Sequence, residues 1–204
     1  MFHVPKNSGW LEIIVGPMFS GKTEELIKRL RRAIYAKQKV IVFKPSQDNR
    51  FSESDIVSRN QMKFESIAIK NPSVMLELAE DKEVVGIDEV QFFEPTVIQI
   101  AEKLADAGKR VIIAGLDLDF RAEPFENVAT LMAKAEYVTK TLAICVVCGN
   151  PASRSQRIKT HLSENNDSRI LVGDTEYYEA RCRKCFKPYP VYKPDSENIF
   201  ESND

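Results

Sequence analysis

The chain has 204 residues, 43% of them hydrophobic, which is enough to bury a sizeable core without disulfide staples and excludes wholesale disorder. Its 29 basic and 30 acidic residues leave a net charge of −1, so no global field draws it to nucleic acid or to an anionic membrane. Two histidines, His3 and His161, exclude chemistry that gathers several imidazoles in one site.

Met1 to Gly9 is polar and interrupted by Pro5, and the apolar stretch after it stops at Gly16-Pro17, so no secretory signal is read there. The longest apolar run, Leu142 to Gly149, is far short of the roughly 20 residues of a membrane-spanning helix. The expected compartment is the cytoplasm, with reduced thiols. Leu11 to Val15 reads as a buried strand. Thr23 to Ala36 reads as a helix, with Leu26, Ile27, Leu30, Ala33 and Ile34 on one face. Val40 to Phe43 is a second strand, Pro72 to Glu80 a short helix opened by proline, and Val84 to Ile87 a third strand. Pro95 to Ala107 is a helix closed by Gly108, and Val111 to Leu116 a fourth strand. Asn127 to Ala135 is helical, and Val138 to Ile144 is a strand that runs into the cysteines. This alternation predicts an α/β fold, a mostly parallel sheet flanked by helices. The expected division is 1–144 for a nucleotide-binding α/β domain, 145–193 for a small zinc-binding domain and 194–204 for a polar, acidic tail.

Gly16-Pro17-Met18-Phe19-Ser20-Gly21-Lys22-Thr23 matches the P-loop pattern in full, between an apolar strand and an amphipathic helix. The glycines let the backbone curl its N–H groups around an anion, and the helix N-terminus adds positive charge. Lys22 is the candidate for the β- and γ-phosphates of ATP, and the Thr23 hydroxyl for Mg²⁺. The third strand ends in Asp88-Glu89. Alone that is a weak signal; beside a P-loop it points to Asp88 as a second Mg²⁺ ligand and Glu89 as the general base. Phe92 and Phe93 follow, and wall of a ring pocket or ordinary packing remain equal readings.

Cys145-Val146-Val147-Cys148 and Cys182-Arg183-Lys184-Cys185 are two C-x-x-C knuckles. Four thiolates satisfy tetrahedral Zn²⁺ and leave no open position, so the metal is read as structural. The 33 residues between the knuckles exceed the usual ribbon spacing, so an extra segment is looped out.

Taken in order, the P-loop, Gly86-Ile87-Asp88-Glu89-Val90-Gln91-Phe92-Phe93 and the cysteine quartet closely resemble the cellular, zinc-containing class of thymidine kinases, over about residues 9 to 192. The resemblance implies transfer of the ATP γ-phosphate to the 5′-hydroxyl of thymidine. It implies that Asp48 joins the Mg²⁺ ligands, that Arg50 lies near the transferring phosphate, and that Gln91 belongs with the nucleotide-binding residues. It implies a thymidine pocket of Met18, Phe92, Leu116, Phe120, Phe125, Ser155, Val172, Gly173 and Tyr178, with core packing still open for Leu116 and Phe125. The looped-out segment resembles a lasso that closes over the thymine. Asp174 stands where many relatives have a second glycine, and Ser155 where a threonine is common. A homotetramer and feedback inhibition by dTTP are further implications.

Two rival readings compete. A P-loop ATPase that works on DNA would use Lys28, Arg29, Arg31 and Arg32 on the first helix, which otherwise read as a solvated face. A nucleotide sensor would bind ATP without turnover, against which Lys22, Asp88 and Glu89 stand.

Overall fold

The structure is a computed structural model, and it describes residues 8–46, 55–57, 63–158 and 178–188. Strands β1 (Trp10–Gly16), β2 (Val40–Pro45), β3 (Asp55–Val57), β4 (Lys63–Glu65), β5 (Ile67–Ile69), β6 (Val84–Ile87), β7 (Arg110–Leu116) and β8 (Tyr137–Lys140) alternate with helices α1 (Lys22–Tyr35), α2 (Val74–Leu78), α3 (Thr96–Asp106) and α4 (Glu126–Lys134). Short strands β9 (Ala143–Ile144), β10 (Pro151–Ala152), β11 (Arg154–Arg157) and β12 (Tyr178–Arg181) follow.

The main sheet has six strands in the order β5-β2-β6-β7-β1-β8, and every pairing in it is parallel. Parallel strands must be covered on both faces, and the two-residue pleat divides their side chains accordingly. Ile14, Val42, Val84, Ile112 and Ala114 meet Leu26, Ile27, Leu30 and Ala33 of α1. Leu11, Ile13, Val15, Val85, Ile87, Val111 and Ile113 point the other way, into a core completed by α2, α3 and α4. Gly86 belongs to this economy of space. A methyl there would stand 3.0 Å from Leu30 Cδ2 and 3.2 Å from Val42 Cγ2, so α1 lies directly on the strand backbone.

A charged group of β1 interrupts the α1 face. Glu12 of β1 is buried and accepts from Arg110 and from Arg29 Nη1, with Trp10 Nε1 as a third donor at 2.8 Å. Burial pushes its carboxyl upward, and the Arg110 and Arg29 guanidiniums and Trp10 more than offset this, holding it below the ordinary value. Lys28 and Arg29 both pair with Glu25. Two of the four cations on α1 that the DNA reading relied on are thus already engaged by carboxylates.

Three expectations change. The strand expected over Val138–Ile144 is broken: β8 ends at Lys140, and β9 pairs antiparallel with β10 instead of staying in the sheet. The last ladder bond of β8 runs from the Thr141 N–H to Val15 O at 2.8 Å, after which Ala143 and Ile144 pair with Ala152 and Pro151. The helix expected over Pro72–Glu80 contracts to Val74–Leu78, because Asn71 Oδ1 accepts the Ser73 N–H and holds Asn71–Ser73 as a turn. The edge strand β5 and the β3–β4 hairpin are additions. No helix among the described residues is long and apolar enough to cross a membrane.

Candidate active site

The C-terminal ends of parallel strands are where open α/β sheets place ligands. Here β1 delivers the P-loop, β6 delivers Asp88-Glu89, and β7 delivers the loop from Leu116 to Phe125. These three segments are adjacent because β6, β7 and β1 are neighbours in the sheet.

The P-loop turns sharply at Gly16, whose φ is 153°. A methyl there would stand 2.4 Å from Thr141 O and 2.9 Å from Ser20 Oγ, so the turn admits only glycine. Phe19 adopts φ 69° and Gly21 φ 77° before α1 begins at Lys22. Ser20 Oγ donates to Pro17 O at 2.8 Å and accepts from the Thr141 hydroxyl at 2.8 Å. Lys22 Nζ donates to Pro17 O at 2.7 Å, which lays its ammonium across the curl. The arrangement is an anion cradle: backbone turned inward, a cation over it and a helix N-terminus behind it.

Thr23 Oγ1 donates to Asp88 Oδ2 at 3.2 Å, so the loop hydroxyl and the strand-end carboxylate share one place. Asp88 is only 5% exposed. Burial first, and then the charge of Glu89, push its carboxyl up to about 7, against the Glu89 N–H, the Thr23 hydroxyl and Lys22, which favour the charged form. An oxygen pair of this kind, one hydroxyl and one costly carboxylate, suits a hard divalent cation such as Mg²⁺. Glu89 itself sits at φ 49°, ψ 43°, a left-handed conformation for a residue with a side chain. Its N–H donates to Asp88 Oδ1 at 2.9 Å, and its carboxylate Oε2 accepts from Gln91 Nε2.

Beside the cradle lies a separate apolar cluster. Met18, Phe120 and Tyr178 are buried together, with Phe19 and Leu116 packed against them. Met18 therefore belongs to both features: its backbone is in the P-loop and its side chain is in the cluster. Its N–H donates to Ser155 Oγ at 3.0 Å, tying the loop to β11. Phe120 carries guanidiniums of Arg121 and Arg157 within 5.1 Å of its ring centroid. Phe92 is half-buried. Phe125 packs into the main core with Val128 and Leu131 rather than into this cluster, while Leu116 borders both. Asp48, Arg50, Val172 and Gly173 lie outside the described residues. Thr141 and Arg157 had no sequence signal; they are an ordinary strand residue and an ordinary basic residue until the fold brings them to Ser20 and Phe120.

The four cysteines come together as spacing predicts. All their Sγ atoms lie within 4.8 Å of one another, and Cys148 Sγ is 3.6 Å from Cys182 Sγ. Sulfurs around tetrahedral Zn²⁺ stand about 3.8 Å apart, given Zn–S bonds of about 2.3 Å, so the donor set and the spacing fit zinc. Each knuckle is closed by backbone bonds, Gly149 N–H to Cys145 O at 2.9 Å and Cys185 N–H to Cys182 O at 3.1 Å. The sulfurs differ: hydrogen bonding to Cys148 and Cys182 pushes the Cys185 thiol up to about 12, while at Cys145 burial is outweighed by backbone N–H groups that hold the thiol down at about 6.

The family model described as thymidine kinase matches residues 9–186, most of the chain. Among solved structures, domain III of the Thermotoga maritima replication initiation protein DnaA is similar at a TM-score of 0.41 and 16% sequence identity. That match covers 64% of this chain and 54% of the other, so the chain spans about half the length of that structure.

Proposed function

The chain belongs to the thymidine kinase family, and from that premise we propose that it is an ATP- and Mg²⁺-dependent enzyme that phosphorylates thymidine at its 5′-hydroxyl to give dTMP. The observation that carries this reading is the double membership of Met18, which joins the anion cradle to a buried aromatic cluster. A phosphate site and an apolar ring site that share one residue are neighbours, and transfer between two bound ligands needs such proximity.

In this reading Lys22 and the backbone of residues 16–23 hold the ATP phosphates, and Thr23 and Asp88 hold Mg²⁺, with Asp48 beside them. Mg²⁺ held by these residues would offset the negative charge of the phosphates. Glu89 takes the proton of the 5′-hydroxyl as its oxygen bonds to the γ-phosphorus. The bond from that phosphorus to the bridging oxygen breaks, and ADP leaves. Arg50 adds positive charge at the transferring group. Met18, Leu116, Phe120 and Tyr178 enclose the base, with Phe92, Ser155, Val172 and Gly173 around it, while Phe125 supports this wall from the main core. The cytoplasm, a homotetramer and feedback by dTTP complete the proposal, as does a separate C-terminal unit at 145–193.

The test is one assay. Protein, labelled ATP and each of the four deoxynucleosides are mixed, and thymidine is expected to be phosphorylated well ahead of the other three. Label released only as inorganic phosphate, stimulated by DNA, would replace this reading with an ATPase.

The cysteine cluster yields a second expectation. Folded protein is expected to contain one zinc per chain by metal analysis. β12 runs directly from Tyr178 to the knuckle at Cys182, so the metal anchors one wall of the apolar cluster. Cys182→Ser is therefore expected to raise KM for thymidine by about tenfold or more and KM for ATP far less. Equal changes in the two constants would sink the idea that the metal serves the acceptor side.

A further inference from the structure

Gln91 is 6% exposed, in a 3-10 turn at Val90–Phe92 directly after Glu89, and both ends of its amide are committed. Oε1 accepts the Leu116 N–H at 3.0 Å. A backbone N–H can only donate, so this contact decides which end of the amide is oxygen and turns Nε2 toward Glu89. Nε2 donates to Glu89 Oε2. Room for the amide comes from Gly115, where a methyl would stand 2.9 Å from Gln91 Oε1 and 2.7 Å from Val90 Cγ1. Glu89 is the residue that needs such support. Its left-handed backbone persists only where neighbours over-determine it, here through its N–H to Asp88 Oδ1 and the Phe92 N–H to its carbonyl at 3.1 Å.

We propose that Gln91 is a positioning residue for Glu89: its locked amide occupies Oε2 and presents Oε1 to the acceptor hydroxyl. This rests on Glu89 being the base. It replaces the nucleotide contact that the sequence assigns to Gln91, because a buried amide with both ends engaged has little left to offer a phosphate. The same amide grips the backbone of Leu116, which borders the apolar cluster. One side chain thus references the base and the pocket wall to each other. Among the described residues, charged groups near Glu89 include Asp88 next to it and Lys22, whose charge acts on Asp88 across the P-loop.

The test compares wild type, Gln91→Met, Gln91→Glu and Glu89→Gln in single-turnover phosphorylation of thymidine across pH, with thermal melts to show that each folds. Gln91→Met keeps the volume and removes the donor. It is expected to slow turnover by about ten- to a hundredfold, with KM for ATP within about threefold. Gln91→Glu is isosteric and sets a second carboxylate against Glu89. It is expected to move the acidic limb of the profile up by about one pH unit or more. If the methionine variant fails to fold, the limb in Gln91→Glu decides. An unmoved limb with turnover within about twofold of wild type would overturn the proposal. So would a raised KM for ATP at unchanged turnover, which would make Gln91 a nucleotide contact. The Glu89→Gln arm separates the two levels. If it is inactive while the Gln91 variants behave as wild type, only the positioning role is lost; if it is active, the base and the positioning role fall together.

Discussion

Glu89→Gln is expected to lower kcat by about 10²–10⁴-fold while ATP still binds. The substitution keeps the shape of the side chain. Its amide oxygen can still accept the Gln91 N–H, so the left-handed turn at residue 89 and the contact of Gln91 with Leu116 are preserved. What it removes is the capacity to take a proton. Among the described residues, the adjacent carboxylate does not replace that capacity. Asp88 is 5% exposed, with one oxygen on the Glu89 N–H and the other on Thr23. The ATP cradle is built from the loop backbone of residues 16–23 and Lys22, so nucleotide affinity should change little. Turnover by rapid quench and ATP affinity by titration check the two halves of the expectation. Turnover near that of wild type would move the base to another residue, and loss of ATP binding would mean that Glu89 organises the cradle itself.

What the sequence made legible shares one property: the signal lies within a few residues of the feature. The P-loop, the Asp88-Glu89 pair after an apolar strand and the two cysteine knuckles are all local patterns, and the structure gathers the cysteines within 4.8 Å. What was missed depends on residues far apart. β5 is three residues long with two of them exposed, and only its pairing with β2 makes it a strand. The break between β8 and β9 falls in an uninterrupted strand-forming run with no glycine or proline. It comes from a change of partner, from β1 more than a hundred residues earlier to β10 a few residues later. Phe120 and Phe125 show the limit within the site. Both are aromatic residues of one loop, yet one enters the cluster with Met18 and the other enters the main core. Periodicity cannot sort them, because Asp119 bends the loop by accepting the Arg121 and Glu123 N–H groups, so no regular spacing relates the two rings.

Replacing Asp88 with asparagine is expected to stabilise the metal-free protein and nearly abolish its activity. The carboxyl is pushed up to about 7, by burial and then by Glu89, from an ordinary value of 3.8. The folded chain therefore holds this proton more tightly than the unfolded chain does. The contribution to stability is full below about pH 4, falls as pH rises from about 4 to 7, and is flat above that, where both states are ionised. Asparagine carries no charge to bury. It retains an oxygen for the Glu89 N–H and a polar group for Thr23. At pH 8 the variant should gain roughly 1–3 kcal/mol over wild type, and at pH 4 the gain should vanish. Mg²⁺ with ATP should raise the melting temperature of wild type more than that of the variant, because the cation offsets the charge that wild type buries. Turnover should drop by about 10²-fold or more, since the lost carboxylate is a proposed metal ligand. Melting curves across pH, with and without Mg²⁺ and ATP, test both sides of this exchange. A variant less stable than wild type at pH 8 would mean that the bonds from Thr23 and the Glu89 N–H outweigh the buried charge, and Asp88 would then be a structural anchor rather than a strained ligand kept for the cation.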